Sequence, residues 1–177
     1  LRSALQLLST VELRTAFLRS LSTPELEQLA HEWRLWARSD QLAPALSAKP
    51  WRSWVFMGGR GAGKTRAGAQ WITGLIAGLA GYGPCSTGRV ALVGGTFADV
   101  RDVMVDGDSG WLACSPPWLK PQWVASRRTV EWDNGAKAMA FSSENPEALR
   151  GPQFEVAWCD ELGKWVYSQE TFDMLQF

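Results

Sequence analysis

Histidine is almost absent from this sequence and cysteine is scarce, which removes several kinds of chemistry before any motif is considered. The one histidine, His31, falls in a helical pattern, where a packing or surface role accounts for it and no mechanism follows. Cys85, Cys114 and Cys159 are an odd number at wide spacings. They match neither a zinc pattern nor the even count of a secreted disulfide framework, and read as reduced thiols of a cytosolic protein. Net charge is missing too: eighteen Lys and Arg balance eighteen Asp and Glu. Any contact with nucleic acid must then come from local patches and not from a basic body. The longest apolar stretch, Trp71 to Ala80, is broken by glycines and falls far short of the about 20 residues that cross a bilayer. With no signal peptide, internal repeat or low-complexity tract either, a cytoplasmic protein without membrane contact is expected.

What is present is length for one α/β domain with a helical attachment, 177 residues, and eleven tryptophans that supply large apolar faces, each with an N–H to satisfy. The first 40 residues read as helices. Ser9 with Glu12 has capping-box spacing, Ser22 with Glu25 repeats it beside Pro24, and Leu26, Leu29, Ala30, Trp33 and Ala37 mark one apolar face. The Pro, Ala and Ser of Asp40 to Pro50 suit a connector, so a helical arm and linker over 1–48 and a second domain over 49–177 are expected. There the pattern becomes strand (Trp51 to Met57), glycine loop (Gly58 to Gly63), helix (Lys64 to about Ala80), a Gly- and Pro-rich turn (Gly81 to Gly88) and strand (Val90 to Gly94), one βαβ unit. Thr96 with Asp99 caps a short helix to about Val105, and Asp106 to Pro121 is irregular. Arg128 to Trp132 and Lys137 to Ser142 form a hairpin through Asp133-Asn134-Gly135, and Phe154 to Cys159 is a buried strand ending in Asp160-Glu161.

Gly58-Gly59-Arg60-Gly61-Ala62-Gly63-Lys64-Thr65 has the P-loop spacing of Gly, four residues, Gly, Lys, then Ser or Thr. The glycines let successive backbone N–H groups curl around phosphates, and the following helix adds its positive N-terminal end. Lys64 would reach the β and γ phosphates of ATP, and Thr65 would place its hydroxyl on Mg²⁺. The competing reading is a glycine-rich turn with a surface lysine, but the motif follows an expected strand and opens an expected helix, the context a functional loop requires. Asp160 and Glu161 close an apolar strand, as a Walker B element does. Asp160 is expected to hold the metal and Glu161 to act as the base for water, an acid that kinases do not need at that position. Arg60 in the loop and Arg150, in a loop bounded by Pro146 and Gly151, are candidates for stabilising the leaving phosphate charge; each could equally be an exposed basic side chain.

Together these residues resemble the large terminase ATPase of tailed phages and phage-like gene-transfer agents. The resemblance rests on the loop with its internal arginine, on Leu149-Arg150-Gly151-Pro152-Gln153, and on Trp158-Cys159-Asp160-Glu161-Leu162-Gly163-Lys164-Trp165. It implies a P-loop NTPase of the additional-strand, catalytic-glutamate type, a mostly parallel sheet flanked by helices. It further implies ATP hydrolysis that drives double-stranded DNA into a capsid, by a homo-oligomeric ring working with a portal protein and a small terminase subunit. Gln41 is by the same resemblance a possible adenine contact, with a surface glutamine as the alternative. The family places a coupling motif and a nuclease domain beyond the last residue here, so a fragment that binds nucleotide, turns over poorly and does not cut DNA is expected. A helicase-like ATPase, or a nonhydrolysing assembly or DNA-binding module, are the other functions compatible with these residues.

Overall fold

A computed structural model of the chain describes residues 10–44, 51–79, 82 and 88–176. The chain divides into two compact units, Leu1–Leu42 and Ala43–Phe177.

Among its described residues the first unit holds three helices, α1 (Val11–Ser20), α2 (Thr23–His31) and α3 (Trp33–Trp36), and a 3₁₀ turn, Ser39–Gln41. At the start of α1 the Thr10 hydroxyl accepts the Leu13 N–H at 3.3 Å, while Ser9 of the expected box lies outside the described residues. The second box forms as its spacing dictates. Glu25 Oε2 accepts the Ser22 N–H at 2.8 Å and the Ser22 hydroxyl at 2.6 Å. The single apolar face expected from Leu26 to Ala37 does not hold, because Glu32 leaves the helical region at ψ 88 and turns α3 away from the line of α2. Leu29, Trp33 and Ala37 are buried, Leu26 and Ala30 are exposed, and the Trp36 indole closes the corner by donating to Leu29 O at 3.0 Å.

The second unit is built on a five-stranded sheet in the order β2-β3-β4-β1-β5. Its strands are β1 (Arg89–Gly94), β2 (Gln122–Val124), β3 (Thr129–Glu131), β4 (Lys137–Ser142) and β5 (Val156–Cys159). β4, β1 and β5 run parallel, whereas β2–β3 and β3–β4 are antiparallel. The sheet is therefore mixed, with β3 running against the other four described strands. The hairpin causes this, since Gly135 (φ 89) and the Asn134 side chain, which accepts the Ala136 N–H at 3.1 Å, return β4 directly along β3. β2 has only three residues, too few to show a period.

The expectation of a buried strand over Trp51 to Met57, and with it the first βαβ unit, is overturned. Among the described residues that segment joins no ladder, and Val55 and Met57 are 74% and 84% exposed. Its alternation is real but serves side-chain packing alone. Trp54 and Phe56 stack at 6.2 Å, and Trp54 meets Trp71 edge-on at 6.1 Å. Trp71 belongs to α4 (Lys64–Ile76), which stops short of the expected Ala80 because Gly78 turns left-handed (φ 65) and the N–H groups of Gly78 and Leu79 take Leu75 O and Gly74 O. Of the Gly81–Gly88 turn, residues 81 and 83–87 lie outside the described residues.

After β1, Thr96 and Asp99 cap each other's backbone around α5 (Phe97–Asp99), which continues as a π-helix, Val100–Val105. α6 (Trp111–Cys114) interrupts the stretch read as irregular, and α7 (Ser168–Gln176) closes the described chain. Alternate residues of the central strands face opposite layers, as the pleat requires. Ala91, Val93 and Phe141 form one buried cluster with Leu149 and Trp165, against which Met174 and Leu175 of α7 pack. On the other face Leu92, aligned with Trp158, looks toward α4 and α6: Trp158 lies against Gly68 and meets Trp111 edge-on at 6.1 Å. The Trp111 indole donates to Thr73 Oγ1 at 2.9 Å and Gln70 Nε2 to Cys114 O at 3.0 Å, so α4 is tied to α6 by buried polar bonds as well as by area. Among the described residues no helix is long and apolar enough to cross a membrane.

Candidate functional site

Because β4, β1 and β5 are parallel, their C-terminal ends open on one edge of the sheet, where α/β folds place ligands. The ladder carries one residue further on each side: the Asp160 N–H donates to Val93 O and the Ser143 N–H to Gly94 O, both at 2.9 Å. The turn after β1, Ser142-Ser143 after β4 and Asp160-Glu161 after β5 are thereby neighbours. Both serine hydroxyls donate to Gly95 O, at 3.0 and 3.1 Å, which fixes the turn between them.

The glycine loop takes the conformation its composition allows. Gly61 (φ 77) and Gly63 (φ 80) are left-handed, a region that side chains with a Cβ rarely adopt, and Gly63 caps α4 so that Lys64 and Thr65 form its first turn. A Cβ on Gly58 would come within 2.7 Å of Ala62 Cβ, so the loop closes only with glycine there; Gly59 has no such constraint. Lys64 folds back over the loop, its Nζ donating to Gly58 O at 2.9 Å and Gly59 O at 3.1 Å. Thr65 is half-buried and Arg60 exposed.

Charge joins the loop to the end of β5. Burial pushes the Asp160 carboxyl up from the ordinary aspartate range, Glu161 pushes it further, the Lys64 and Lys164 ammonium groups oppose, and Asp99 adds to the rise. Gly68, one turn into α4, lies against the Trp158 ring two residues before Asp160, so the start of α4 and the end of β5 are neighbours. Glu161 itself is left-handed (φ 48, ψ 48) and begins a 3₁₀ turn, Leu162–Lys164. The Lys164 ammonium is ion-paired with Glu161 Oε2, and this hydrogen bond raises the Lys164 pKa, with Asp99 adding and Arg60 subtracting. Behind the turn Trp165 is buried and its indole donates to Asp160 O at 2.9 Å.

Gly58 to Thr65, Asp160 and Glu161 are thus brought to one neighbourhood, with Arg60 at its margin. Arg150 sits in its own loop, paired with Glu147 at 2.9 Å and 64% exposed, beside Gly151 at φ 101. Gln41 belongs to the first unit, where it is buried and its Oε1 accepts the Arg38 N–H at 3.0 Å. Sequence reasoning took Asp99 only as a helix cap and missed its charge here, which nothing but the tertiary placement reveals. It also passed over Lys164 as a partner of Glu161, although a three-residue spacing after a strand end was legible. Ser142 and Ser143 carried no signal beyond closing a strand.

Among the described residues no group of three or more His, Cys, Asp or Glu side chains could hold a metal ion. A single carboxylate with a hydroxyl suits a cation that keeps several waters and takes its remaining oxygens from phosphate, as Mg²⁺ does, better than an all-protein cage. Compared with known families, residues 55–177 match the one described as terminase large subunit, T4likevirus-type, N-terminal. No curated protein matches the chain.

Proposed function

The chain belongs to the terminase large subunit family, which carries a role in phage DNA packaging, and on that premise we propose that it is the ATPase that drives the DNA. The observation that carries this reading is the glycine loop at the start of α4 and the Asp160-Glu161 pair at the C-terminal edge of the parallel strands, with Gly68 of α4 seated on Trp158 of β5.

The residues fit MgATP by the chemistry of their donors. Left-handed glycines at 61 and 63 turn loop N–H groups toward a phosphate chain, and α4 points its positive end at the same place. Lys64 would exchange the carbonyls of Gly58 and Gly59 for the β and γ phosphates. Thr65 and Asp160 would hold the metal, Asp160 through water. Bound MgATP would supply the scissile phosphoryl group and, through its cation, neutralise charge that develops there. Glu161 would take the proton of the attacking water, while Arg60 and Arg150 are the cations available for the charge on the γ oxygens. Double-stranded DNA, a portal protein, a small terminase subunit and further copies of the chain in a ring are the partners that family membership supports, and the site would work in the cytoplasm of the infected or producing cell.

The test is Lys64→Ala. Removing the cation aimed at two phosphates should weaken ATP binding by about 10-fold or more in calorimetry, in line with charge-assisted bonds of about 1.5–3 kcal/mol. Unchanged affinity would remove the P-loop reading.

A further inference from the structure

A general base needs a group that orients it, in the way that a nucleophile needs its base. Glu161 has the geometry of an oriented base. Its backbone is held left-handed, a conformation that a non-glycine residue keeps only where its surroundings over-determine it. Those surroundings are on both sides. The Asp160 N–H is bonded to Val93 O of β1 at 2.9 Å, and Trp165, buried with Ala91, Val93, Phe141 and Leu149, donates its indole N–H to Asp160 O at 2.9 Å. Between these anchors the Lys164 N–H donates to Glu161 O at 2.8 Å, closing a turn that brings the Lys164 side chain back over the glutamate.

The ammonium takes Oε2 of Glu161. Among the described residues Oε1 accepts no hydrogen bond, so one oxygen is held and the other is left to accept. A carboxylate divided in this way can accept a proton through a single, directed oxygen. We propose that Lys164 is the positioning residue for Glu161, fixing the direction of Oε1 toward the water that is to be activated; this rests on the ATPase reading given above. Lys164 is 74% exposed, so screening by solvent makes the pair a weak source of stability, and its effect should appear in turnover instead of in folding.

Steady-state and single-turnover ATP hydrolysis by the full-length subunit tests this. Lys164→Ala should lower kcat between about 10- and 100-fold, the range in which misplacing a reacting group acts, with KM, ATP affinity and melting temperature unchanged. Lys164→Arg, which keeps a cation at the same reach, should recover most of the rate. In a Glu161→Gln background Lys164→Ala should cost nothing further, because the base it serves is already gone. An equal loss in both backgrounds, or a loss carried by KM or by melting temperature, would overturn the proposal. Wild-type protein that binds ATP but does not hydrolyse it would remove the ATPase reading itself, and the positioning role with it.

Discussion

At the scale of single residues, Asp160 shows burial and charge working against each other. Its carboxyl is pushed up first by burial and then by Glu161, and the ammonium groups of Lys64 and Lys164 only partly offset this. A folded pKa above the unfolded value, near about 3.9, means that the folded chain holds a proton which the unfolded chain has already released. Stability should fall as pH rises through the window between the two values, and the penalty should persist at neutral pH. Asp160→Asn removes the charge at nearly constant volume. It should raise the melting temperature at pH 7 without ligand, lose that advantage below about pH 4, and abolish the extra stabilisation that Mg²⁺ adds in the presence of ATP. Thermal unfolding at the two pH values, with and without MgATP, checks it; a lower melting temperature for Asp160→Asn at pH 7 would contradict the argument. Cys159, next in the chain, is pushed up to about 12 by burial and by Asp160, so its thiol stays protonated at neutral pH and takes no part in the site's chemistry.

At the scale of elements, the contact that sets α4 against the sheet is a glycine on an indole. A Cβ at Gly68 would come within 2.3 Å of the Trp158 ring, and Trp158 is itself held edge-on by Trp111. Two effects compete in Gly68→Ala. Helix propensity favours alanine by about 1 kcal/mol, whereas overpacking a buried contact costs about 1–3 kcal/mol. Overpacking should win. The expected result is a melting temperature lower by about 2–4 °C, as a net loss of about 1 kcal/mol produces at this chain length, together with weaker ATP binding, because α4 carries Lys64 and Thr65 at its start. Calorimetric melting and an ATP titration of the variant check both. The elements most legible beforehand were those with their own local chemistry: the Ser22–Glu25 box, the Asn134-Gly135 turn and the Thr96–Asp99 cap all form as their spacing indicates. The Trp51–Met57 segment, expected as a buried strand, joins no ladder among the described residues, since an apolar run does not show whether another backbone lies alongside.

At the scale of the whole molecule, the proposed ring bears on the role of Arg150. Arg150 is exposed beside Gly151 and, among the described residues, pairs only with a glutamate of its own 3₁₀ turn, an ion pair easily exchanged for a stronger anion. In a ring such an arginine can serve the γ-phosphate of a neighbour. Complete subunits carrying Arg150→Ala and subunits carrying Glu161→Gln should each be inactive alone yet regain part of the ATPase rate when mixed, because some sites then combine one subunit's glutamate with the other's arginine. Steady-state ATPase assays across mixing ratios, with assembly verified, are the measurement. No recovery would place Arg150 in its own subunit or in loop structure alone.

What the sequence determined by itself is the set of positions where backbone demands and chemistry coincide within a few residues. Glycines at 58, 61 and 63 before Lys64-Thr65, two acids at the end of an apolar run, and capping and turn pairs are local, and local physics suffices to read them. Only the tertiary structure decided which of them meet. The parallel register of β4, β1 and β5 puts three strand ends at one edge, Gly68 of α4 packs on Trp158 near the end of β5, and the serines that follow β4 fix the turn after β1. Those relations depend on strand order and on the packing of residues distant in the chain, and neither periodicity nor spacing encodes strand order, because each reports a single element's faces and not its neighbours.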